Sequence, residues 1–435
     1  MTDTASGPVP AAPAEHGAAG THRRLRGVLI ALCVTEITSW GVLYYAFPVL
    51  ASAIAADTGW STPAVTAAFS AALVAAALAG IPLGRVLDRR GPRPVMTAGS
   101  VLAAGAVLAV AAAPNPAWFA TAWVLAGIAM AAVLYQPAFA ALTRYHGPRH
   151  LAPLTTLTLV AGLASTVFAP LTDALAGQLG WRGAYLVLAS VLAAVTIPLH
   201  ALALRHPWPA PHDRPPGQNA RQRTEARAAA TRQARRVTRS RPFWLLAGAL
   251  TLSGFAMYAV LTNLIGLLTA RGASPTLAAW ALGLGGVGQV AGRLGHGLLA
   301  RRTSVRSRTV WVLSLSTATT AALAVLPGPA ALLIAVTVLA GAARGIATLL
   351  QATAVPDRWG AASYGTLSGI LAAPVTIAGA TAPWAGTALA SALGGYPALF
   401  AALTVIAGLA VLLAAGGIPP APPHGSDPRS EPGSG

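Results

Sequence analysis

The chain of 435 residues is 55% hydrophobic and only 9% charged, a composition that cannot cover a soluble globule with polar surface. Its formal net charge of +18 comes from arginine alone, because the sequence contains no lysine. Since nearly all of the arginines lie in segments between long apolar runs, and almost entirely on one side of the predicted membrane, this charge does not indicate a nucleic-acid-binding protein. These features favour an integral membrane protein in the lipid bilayer.

The first 26 residues are polar and rich in alanine and proline, and they contain no short apolar core followed by a cleavage site. We therefore expect a disordered cytoplasmic N-terminus over residues 1–26 and no removable signal peptide. The first apolar run then serves as the insertion signal. The lone Cys33 lies within this run and cannot form an intramolecular disulfide.

Twelve apolar runs of the length needed to cross the hydrocarbon follow one another in two groups of six. The first group is predicted at residues 27–51, 62–83, 95–113, 117–142, 151–176 and 183–204. The second group is predicted at residues 243–268, 276–300, 309–326, 330–353, 363–390 and 396–415. The sequence thus predicts an all-α membrane protein with an N-terminal bundle over 27–204, a basic linker over 205–241, a C-terminal bundle over 242–416 and a disordered tail over 417–435.

The arginines are distributed very unevenly between the two sides of the predicted membrane. If the N-terminus is cytoplasmic, the outer segments hold only Arg182 and Arg271. The inner segments outside the central linker include Arg23, Arg24, Arg26, Arg85, Arg89, Arg90, Arg93, Arg144, Arg149, Arg301, Arg302, Arg306 and Arg308. This asymmetry predicts a multi-pass protein of the cytoplasmic membrane with both termini cytoplasmic.

The central linker allows two interpretations. Residues 221–239 contain enough alanine, arginine and glutamine to form a helix on the anionic inner leaflet, where each basic residue contributes about 1 kcal/mol. Alternatively, the segment is a solvated connection that carries positive-inside charge.

A charged block at residues 84–93 (GRVLDRRGPR) separates the second and third apolar runs. It resembles the loop between spans 2 and 3 of the major facilitator superfamily, which reads roughly G-x3-D-R-x-G-R-R. The resemblance implies a monomeric secondary carrier with two six-helix bundles and alternating access. It also implies a gating role for this loop and its counterpart in the second half. The residues concerned are Gly84, Asp88, Arg89, Gly91, Arg93, Gly297 and Arg301.

The two halves are related by an internal repeat at an offset of 213 residues. Gly41 and Tyr45 align with Gly254 and Tyr258, and Gly84 aligns with Gly297. Two repeated six-span halves predict a solute site between them near the middle of the membrane. Because Arg301 stands where Asp88 would fall, we expect the gating ion pairs to differ between the halves.

Among the ionisable residues inside predicted spans, where an isolated charge costs about 2.5–3.5 kcal/mol, three are the strong candidates for a functional role. Glu36, Arg293 and Arg344 would together leave one positive charge, which favours an anionic solute, and a guanidinium suits a carboxylate. Alternatively, Glu36 pairs with an arginine, and Arg344 bonds to backbone carbonyls. Further polar tips predicted to line the pocket are Tyr44, Tyr45, Tyr135, Gln136, Tyr258, Asn263 and Gln289.

Residues 41–48 (GVLYYAFP) and 293–297 (RLGHG), with shorter matches at 149–152 and 180–182, resemble the monocarboxylate and oxalate/formate carriers of that superfamily. This resemblance implies transport of a small carboxylate, with Arg293 as the substrate arginine. The chain departs from the animal carriers at Val49, where they have lysine, and at Gln289, where they have aspartate. Their proton-coupling scheme therefore does not transfer whole.

The sequence contains no phosphate-binding loop of the G-x4-G-K-[ST] type and no constellation of metal ligands or nucleophiles, so we expect no enzyme activity and no cofactor. A gradient of protons or of the solute would then drive transport, with Glu36 as the candidate proton carrier. Two alternatives stay open. One is a proton-driven exporter of drug-like molecules in which Glu36 meets a cationic centre, and the other is a non-transporting membrane sensor.

Overall fold

The computed structural model describes residues 14–147, 150–205, 207–208, 220–360 and 364–417. Arg149 and most of the two predicted tails lie outside these ranges. The described residues are almost entirely helical and contain no strand. Their helices are α1 Ala14–Trp40, α2 Ala46–Thr58, α3 Thr62–Arg90, α4 Pro92–Ala111, α5 Pro116–Val133, α6 Tyr135–His146, α7 Leu151–Ala161, α8 Ala164–Ala203, α9 Ala220–Thr238, α10 Arg241–Ala270, α11 Pro275–Arg302, α12 Val305–Val325, α13 Ala330–Thr353, α14 Pro356–Trp359, α15 Tyr364–Ala392 and α16 Tyr396–Gly416.

These helices make twelve membrane crossings. Helices α1 and α2, joined by a π-helical turn at Gly41–Tyr45, form one crossing, and α5 and α6 form another. Helices α7 and α8 form two, because the chain turns back at Gly180 with a φ of 68°. Nine segments of the described chain are long and apolar enough to span a membrane by themselves, and α11 and α12 complete the set by packing among them. The predicted twelve-helix fold is confirmed.

One boundary differs from the sequence prediction. Helix α1 begins at Ala14, inside the segment predicted to be disordered up to residue 26. Alanine and arginine are strong helix formers, so the first span continues as a helix beyond the end of its apolar run.

The two halves meet on one face of the molecule. We call the face at which α1 begins and α16 ends the terminal face, and the other the opposite face. Toward the opposite face, α3 packs on α15 and α8 on α11, and one buried apolar cluster runs through both halves. Toward the terminal face, the two halves have separate apolar clusters. The halves are therefore closed against each other on the opposite face.

Polar contacts seal this closed interface. The hydroxyls of Thr66 and Thr387 lie 2.5 Å apart, and the Ser70 hydroxyl accepts from the Trp384 backbone amide at 3.0 Å. The Thr166 hydroxyl donates to the Gly283 carbonyl at 2.8 Å. Because each contact joins one half to the other, separating the halves on this face requires all of them to break.

Two prolines account for breaks in the helices of the first half. Pro48 lacks an amide hydrogen and its ring collides with the carbonyl of Tyr44, so the preceding turn widens into the π-helical segment. Pro137 acts in the same way on Val133, and Leu134 adopts an extended conformation between α5 and α6. The tyrosines of the π turn, together with Tyr135 and Gln136 at the start of α6, consequently lie at irregular points of the bundle.

A seam of glycines brings α11 and α13 into backbone contact. A Cβ atom added at Gly288 or Gly292 would lie about 2 Å from a carbonyl oxygen of α13, and one added at Gly341 or Gly345 would lie equally close to a carbonyl oxygen of α11. Both helices thus carry the spacing of small residues that permits close crossing in membranes. This crossing sets Arg344 of α13 beside Gln289 of α11.

We expect Gly292→Ala to destabilise the protein by about 1–3 kcal/mol, because the added methyl group meets the backbone at Ala342. Gly295→Ala in the same helix is the matched control, since the space around Gly295 is open. Thermal unfolding of the purified variants in detergent measures the difference. Equal unfolding temperatures for the two variants would contradict the proposed tight seam.

Candidate functional site

A cavity of about 470 Å³ lies between the two halves and extends from the middle of the bundle toward the terminal face. Its walls are mainly apolar and aromatic. On the first half they are formed by Trp40, Tyr44, Leu73, Ala76, Ala77, Met130, Ala131, Leu134, Tyr135 and Gln136. On the second half they are formed by Tyr258, Gln351, Val375, Thr376, Gly379 and Ala380. Such a space suits a largely apolar solute with few polar groups.

The predicted polar residues gather at the deep end of this cavity. A smaller space of about 60 Å³ shares four aromatic residues with the larger one, so the two adjoin. The shared residues are Trp40, Tyr44, Tyr135 and Tyr258. The smaller space is lined in addition by Tyr45, Gln289, Arg293, Arg344 and Thr348. Both predicted intramembrane arginines therefore reach the same site.

Arg344 has unused capacity for hydrogen bonding in this site. One Nη donates to the Gln289 side-chain oxygen at 3.1 Å. The side chain is buried, with 9% of the residue exposed, yet its Nε has no acceptor among the described residues. The buried hydroxyl of Tyr44 likewise has no partner there. Because an unsatisfied guanidinium in the membrane is costly, this geometry favours an acceptor supplied by a ligand.

Arg293 is held differently, by the backbone of the opposite half. Its Nη1 donates to the carbonyl of Thr158 in the last turn of α7, where the helix breaks before α8. This carbonyl also accepts the backbone amide of Gly162 at 3.0 Å, so the arginine is a second donor to it. The sequence had suggested backbone carbonyls as partners for Arg344, whereas the structure gives this role to Arg293.

Only the second half contributes charged residues to this site, although the two halves are related by the repeat. The residues 213 positions before Gln289, Arg293 and Arg344 are Ala76, Gly80 and Ala131, and all three lie along cavities of the first half. By contrast, Tyr45 and Tyr258 keep their identity, and both line the deep end. The site therefore has a cationic wall from the second half and an apolar, aromatic wall from the first.

Glu36 lies behind the cavity wall and not in it. The residue is fully buried, and neither of its carboxyl oxygens has a hydrogen-bond partner among the described residues. Trp40 lies beside it, and Tyr135 is close enough to interact electrostatically with both Glu36 and Arg293. Among the residues that the structure describes, no arginine forms an ion pair with Glu36. The alternative of a buried ion pair at Glu36 is therefore not supported.

Asn263 differs from its prediction as a pocket residue. Its amide nitrogen donates to the Ala259 carbonyl at 2.9 Å, and the side chain packs against Gly386 of α15. A position five residues after Tyr258 faces away from that tyrosine by more than a quarter turn of an α-helix. Asn263 therefore belongs to the packing between α10 and α15.

Comparison with known proteins identifies the family. The family model of the Major Facilitator Superfamily matches residues 32–372 and 253–434. The chain belongs to this superfamily. It is accordingly a multi-pass membrane transporter and not an enzyme, and the sequence resemblance to the superfamily is confirmed.

Relatives of this superfamily transporter point to one branch. The chain is 28% identical to monocarboxylate transporter 13 of Bos taurus over 91% of the chain and 87% of that protein. It is 32% identical to human monocarboxylate transporter 11 over 49% of the chain and 44% of that protein.

Among solved structures, the fold is similar to that of a bacterial homologue of the human lysosomal transporter Spinster in an inward-facing, unoccupied conformation. The TM-score is 0.72 at 16% identity, covering 91% of this chain and 96% of the other. A nucleoside transporter gives a TM-score of 0.65 at 14% identity, covering 90% and 98%. At these identities the structural similarity concerns the fold alone.

The predicted gating loop of the first half is stabilised within its own half. Asp88 lies 3.7 Å from a guanidinium nitrogen of Arg144 at the end of α6. Arg93 donates to the Ala201 carbonyl of α8 at 2.9 Å, and Gly91 turns the chain with a φ of 81°. Arg89 and the aspartate side chain stay exposed. In this conformation the loop makes no described polar contact with the second half.

The second half has a different arrangement of charged residues. Arg301 is exposed, and a Cβ atom at Gly297 would meet open space. The acid lies instead at Asp357, 213 positions after Arg144, and pairs with the buried Arg308 at 2.6 Å. Burial lowers the pKa of the adjacent Arg358 to about 10, and this side chain donates to Thr309. The acid thus occupies the repeat position of an arginine, and its partner Arg308 does not stand at the position that corresponds to Asp88.

Trp208, at the start of the central linker, is a residue that the sequence analysis missed. Its indole nitrogen donates to the Asp88 carbonyl at 3.1 Å, and its ring lies 4.4 Å from the guanidinium carbon of Arg144. It also packs on Gly91, where a Cβ atom would come within 3.2 Å of the ring. An aromatic residue in an otherwise polar linker was the available signal. Trp208 holds Arg144 in place beside Asp88.

We expect Trp208→Ala to shift the conformational equilibrium away from the observed state, because it removes a cation–π contact and a hydrogen bond together worth about 1–2 kcal/mol. The measurement is maleimide labelling of Thr376→Cys, a cavity residue, in a Cys33→Ser background. Trp208→Phe keeps a ring over Arg144 and should fall between wild type and Trp208→Ala. Trp311→Ala, which removes an exposed tryptophan elsewhere, is the control. Unchanged labelling in Trp208→Ala would contradict the assigned role.

Proposed function

We propose that this transporter is a secondary carrier of small organic anions, in particular monocarboxylates, that works by alternating access between its two halves. The observation that carries the proposal is the pair of arginines at the deep end of an aromatic cavity, where Arg344 has a buried donor without an acceptor. A carboxylate supplies such an acceptor, and its two oxygens match the planar guanidinium. The relatedness to monocarboxylate transporters supports the same class of substrate.

The asymmetry of the two walls gives the solute an orientation. Its carboxylate binds to Arg344 and Arg293 of the second half, next to Gln289. Its apolar body lies against the first half, where Leu73 and Met130 line the larger space. A dicarboxylate would have to place its second charge on this apolar wall without a partner, so monocarboxylates are favoured.

Arg293 couples binding to the movement of the halves. In this conformation it donates to the Thr158 carbonyl across the interface. An approaching carboxylate is the stronger acceptor, because it carries a full negative charge and can accept two parallel hydrogen bonds from the guanidinium, whereas the carbonyl is neutral. Transfer of Arg293 from the carbonyl to the solute removes this contact between α7 and α11. The halves are then released from one of their links near the middle of the membrane.

Glu36 is the proposed proton site. Its two carboxyl oxygens are buried and make no hydrogen bond among the described residues, and an apolar interior strongly disfavours a carboxylate ion of this kind relative to the protonated group. Tyr135 interacts electrostatically with both Glu36 and Arg293, so the proposed proton site and the proposed substrate arginine share a neighbour. We therefore infer that the protein is a proton-coupled symporter. With both termini cytoplasmic in the cytoplasmic membrane, the observed state is inward-facing, and a single chain contains the complete site.

The exporter alternative has less support, because Glu36 does not line the described cavities and cannot meet a cationic solute there. Uptake assays in proteoliposomes distinguish the two functions. We expect accumulation of radiolabelled aliphatic or aromatic monocarboxylates, and no movement of cationic dyes or antibiotics. Transport of the cationic compounds without any carboxylate transport would overturn the proposal. Binding of carboxylates without counterflow would indicate a sensor.

A further inference from the structure

The later part of the central linker forms a helix that docks on the second half. Helix α9 buries Ala234 and Val237 against Phe243 and Leu367 at the terminal face. The Gln233 side chain donates to the Trp359 carbonyl at 2.8 Å. The linker is therefore not a freely solvated connection over these residues but a fixed part of the surface.

This helix lies at the depth of the lipid headgroups. Trp244, in the first turns of the membrane-crossing α10, is 55% exposed toward the outside of the bundle, and its indole nitrogen donates to the Thr238 carbonyl at the end of α9. Tryptophan is enriched at the boundary between hydrocarbon and headgroups. A direct hydrogen bond to such a tryptophan places the end of α9 at the same boundary.

The surface formed there is strongly basic and has a shaped groove. Residues 220–241 contain eight arginines and one acid, Glu225. An open groove of about 840 Å³ runs between α9 and the start of α10, with the exposed Arg232 and Arg236 on its rim. Its apolar lining comes from Ala229, Val237, Pro242 and Trp359.

We propose that this groove binds the headgroup of an anionic phospholipid from the adjacent leaflet. The two arginines bind the phosphate, and the apolar lining accommodates the glycerol and the first acyl methylenes. A soluble anion would use only the arginines, whereas a lipid also uses the apolar lining and the proximity of the membrane. The occupant is therefore a lipid of the inner leaflet, whose charge matches that of the helix.

A thermal-shift titration tests this site with the full-length protein in neutral detergent. The probes are short-chain phosphatidylglycerol, phosphatidylcholine of the same chain length, and free glycerol phosphate. We expect phosphatidylglycerol alone to raise the unfolding temperature. Arg232→Gln with Arg236→Gln should weaken its apparent affinity about 30-fold. Arg302→Gln with Arg306→Gln removes the same charge from another exposed loop and should leave the affinity unchanged.

Three outcomes would overturn the proposal. Equal stabilisation by glycerol phosphate would indicate a soluble anion, and equal loss in both double variants would indicate nonspecific attraction by net charge. Full affinity in Arg232→Gln with Arg236→Gln would place the lipid elsewhere. If that variant does not fold, native mass spectrometry of the wild-type protein tests the proposal instead. Phosphatidylglycerol must then remain bound to a larger fraction of the protein than phosphatidylcholine does.

Discussion

Replacing Arg293 with alanine is expected to reduce monocarboxylate uptake in proteoliposomes by about 100-fold or more. The substitution removes a charged donor to the substrate and leaves the carboxylate with one arginine instead of two. Removing one partner from a buried, hydrogen-bonded charge pair typically costs about 3–5 kcal/mol. It also removes the hydrogen bond from Arg293 to the Thr158 carbonyl, so the cross-half contact is lost in the substrate-free state. Initial rates at subsaturating solute measure the combined effect.

Two further variants separate binding from a general loss of structure. Arg293→Lys keeps the charge but not the planar fork, so it should recover only part of the uptake. Arg302→Gln removes an exposed arginine at the end of the same helix and should transport like wild type. If Arg293→Ala transports at the wild-type rate while Arg344→Ala does not, the substrate carboxylate depends on Arg344 alone. If both variants keep full uptake, the anion-carrier proposal fails.

Much of the architecture could be read from the sequence because a bilayer imposes simple requirements. A crossing needs about 20 apolar residues, and the helical boundaries lie within a few residues of most apolar runs. Pro48 and Pro137 also act locally, on the turn before each of them. The start of α1 could not be read in this way, because hydropathy marks the edge of the hydrocarbon and not the end of the helix.

The site was only partly predictable for a different reason. The presence of Arg293 and Arg344 inside predicted spans indicated a cationic pocket. Their hydrogen-bond partners, however, depend on where other helices end and how closely they pack. Arg293 finds its acceptor in the last turn of α7, which ends at Ala161, and Arg344 meets Gln289 only because glycines let α11 and α13 touch. Asn263 and Trp208 depend in the same way on contacts between segments far apart in the chain.

Replacing Glu36 with glutamine is expected to abolish proton-driven accumulation while leaving solute exchange intact. Glutamine has nearly the same shape as a protonated glutamate but cannot release a proton. If one proton moves with each solute, a gradient of one pH unit supports about tenfold accumulation in the wild type, because one unit corresponds to about 1.4 kcal/mol. The variant should equilibrate the solute without accumulating it. Counterflow of labelled solute should continue, because Glu36 does not line the described cavity.

Glu225→Gln removes an exposed acid from α9 and is the matched control, which should accumulate solute like wild type. The comparison requires uptake with and without an imposed pH gradient, together with counterflow at equal pH. Full gradient-driven accumulation by Glu36→Gln would show that the proton travels by another route. Loss of counterflow as well would place Glu36 in solute binding or in the movement of the halves. Proton coupling is assigned to this buried carboxyl group only if Glu36→Gln loses gradient-driven accumulation and keeps counterflow. In that case a neutral side chain of the same shape still allows solute exchange but cannot couple it to the proton gradient.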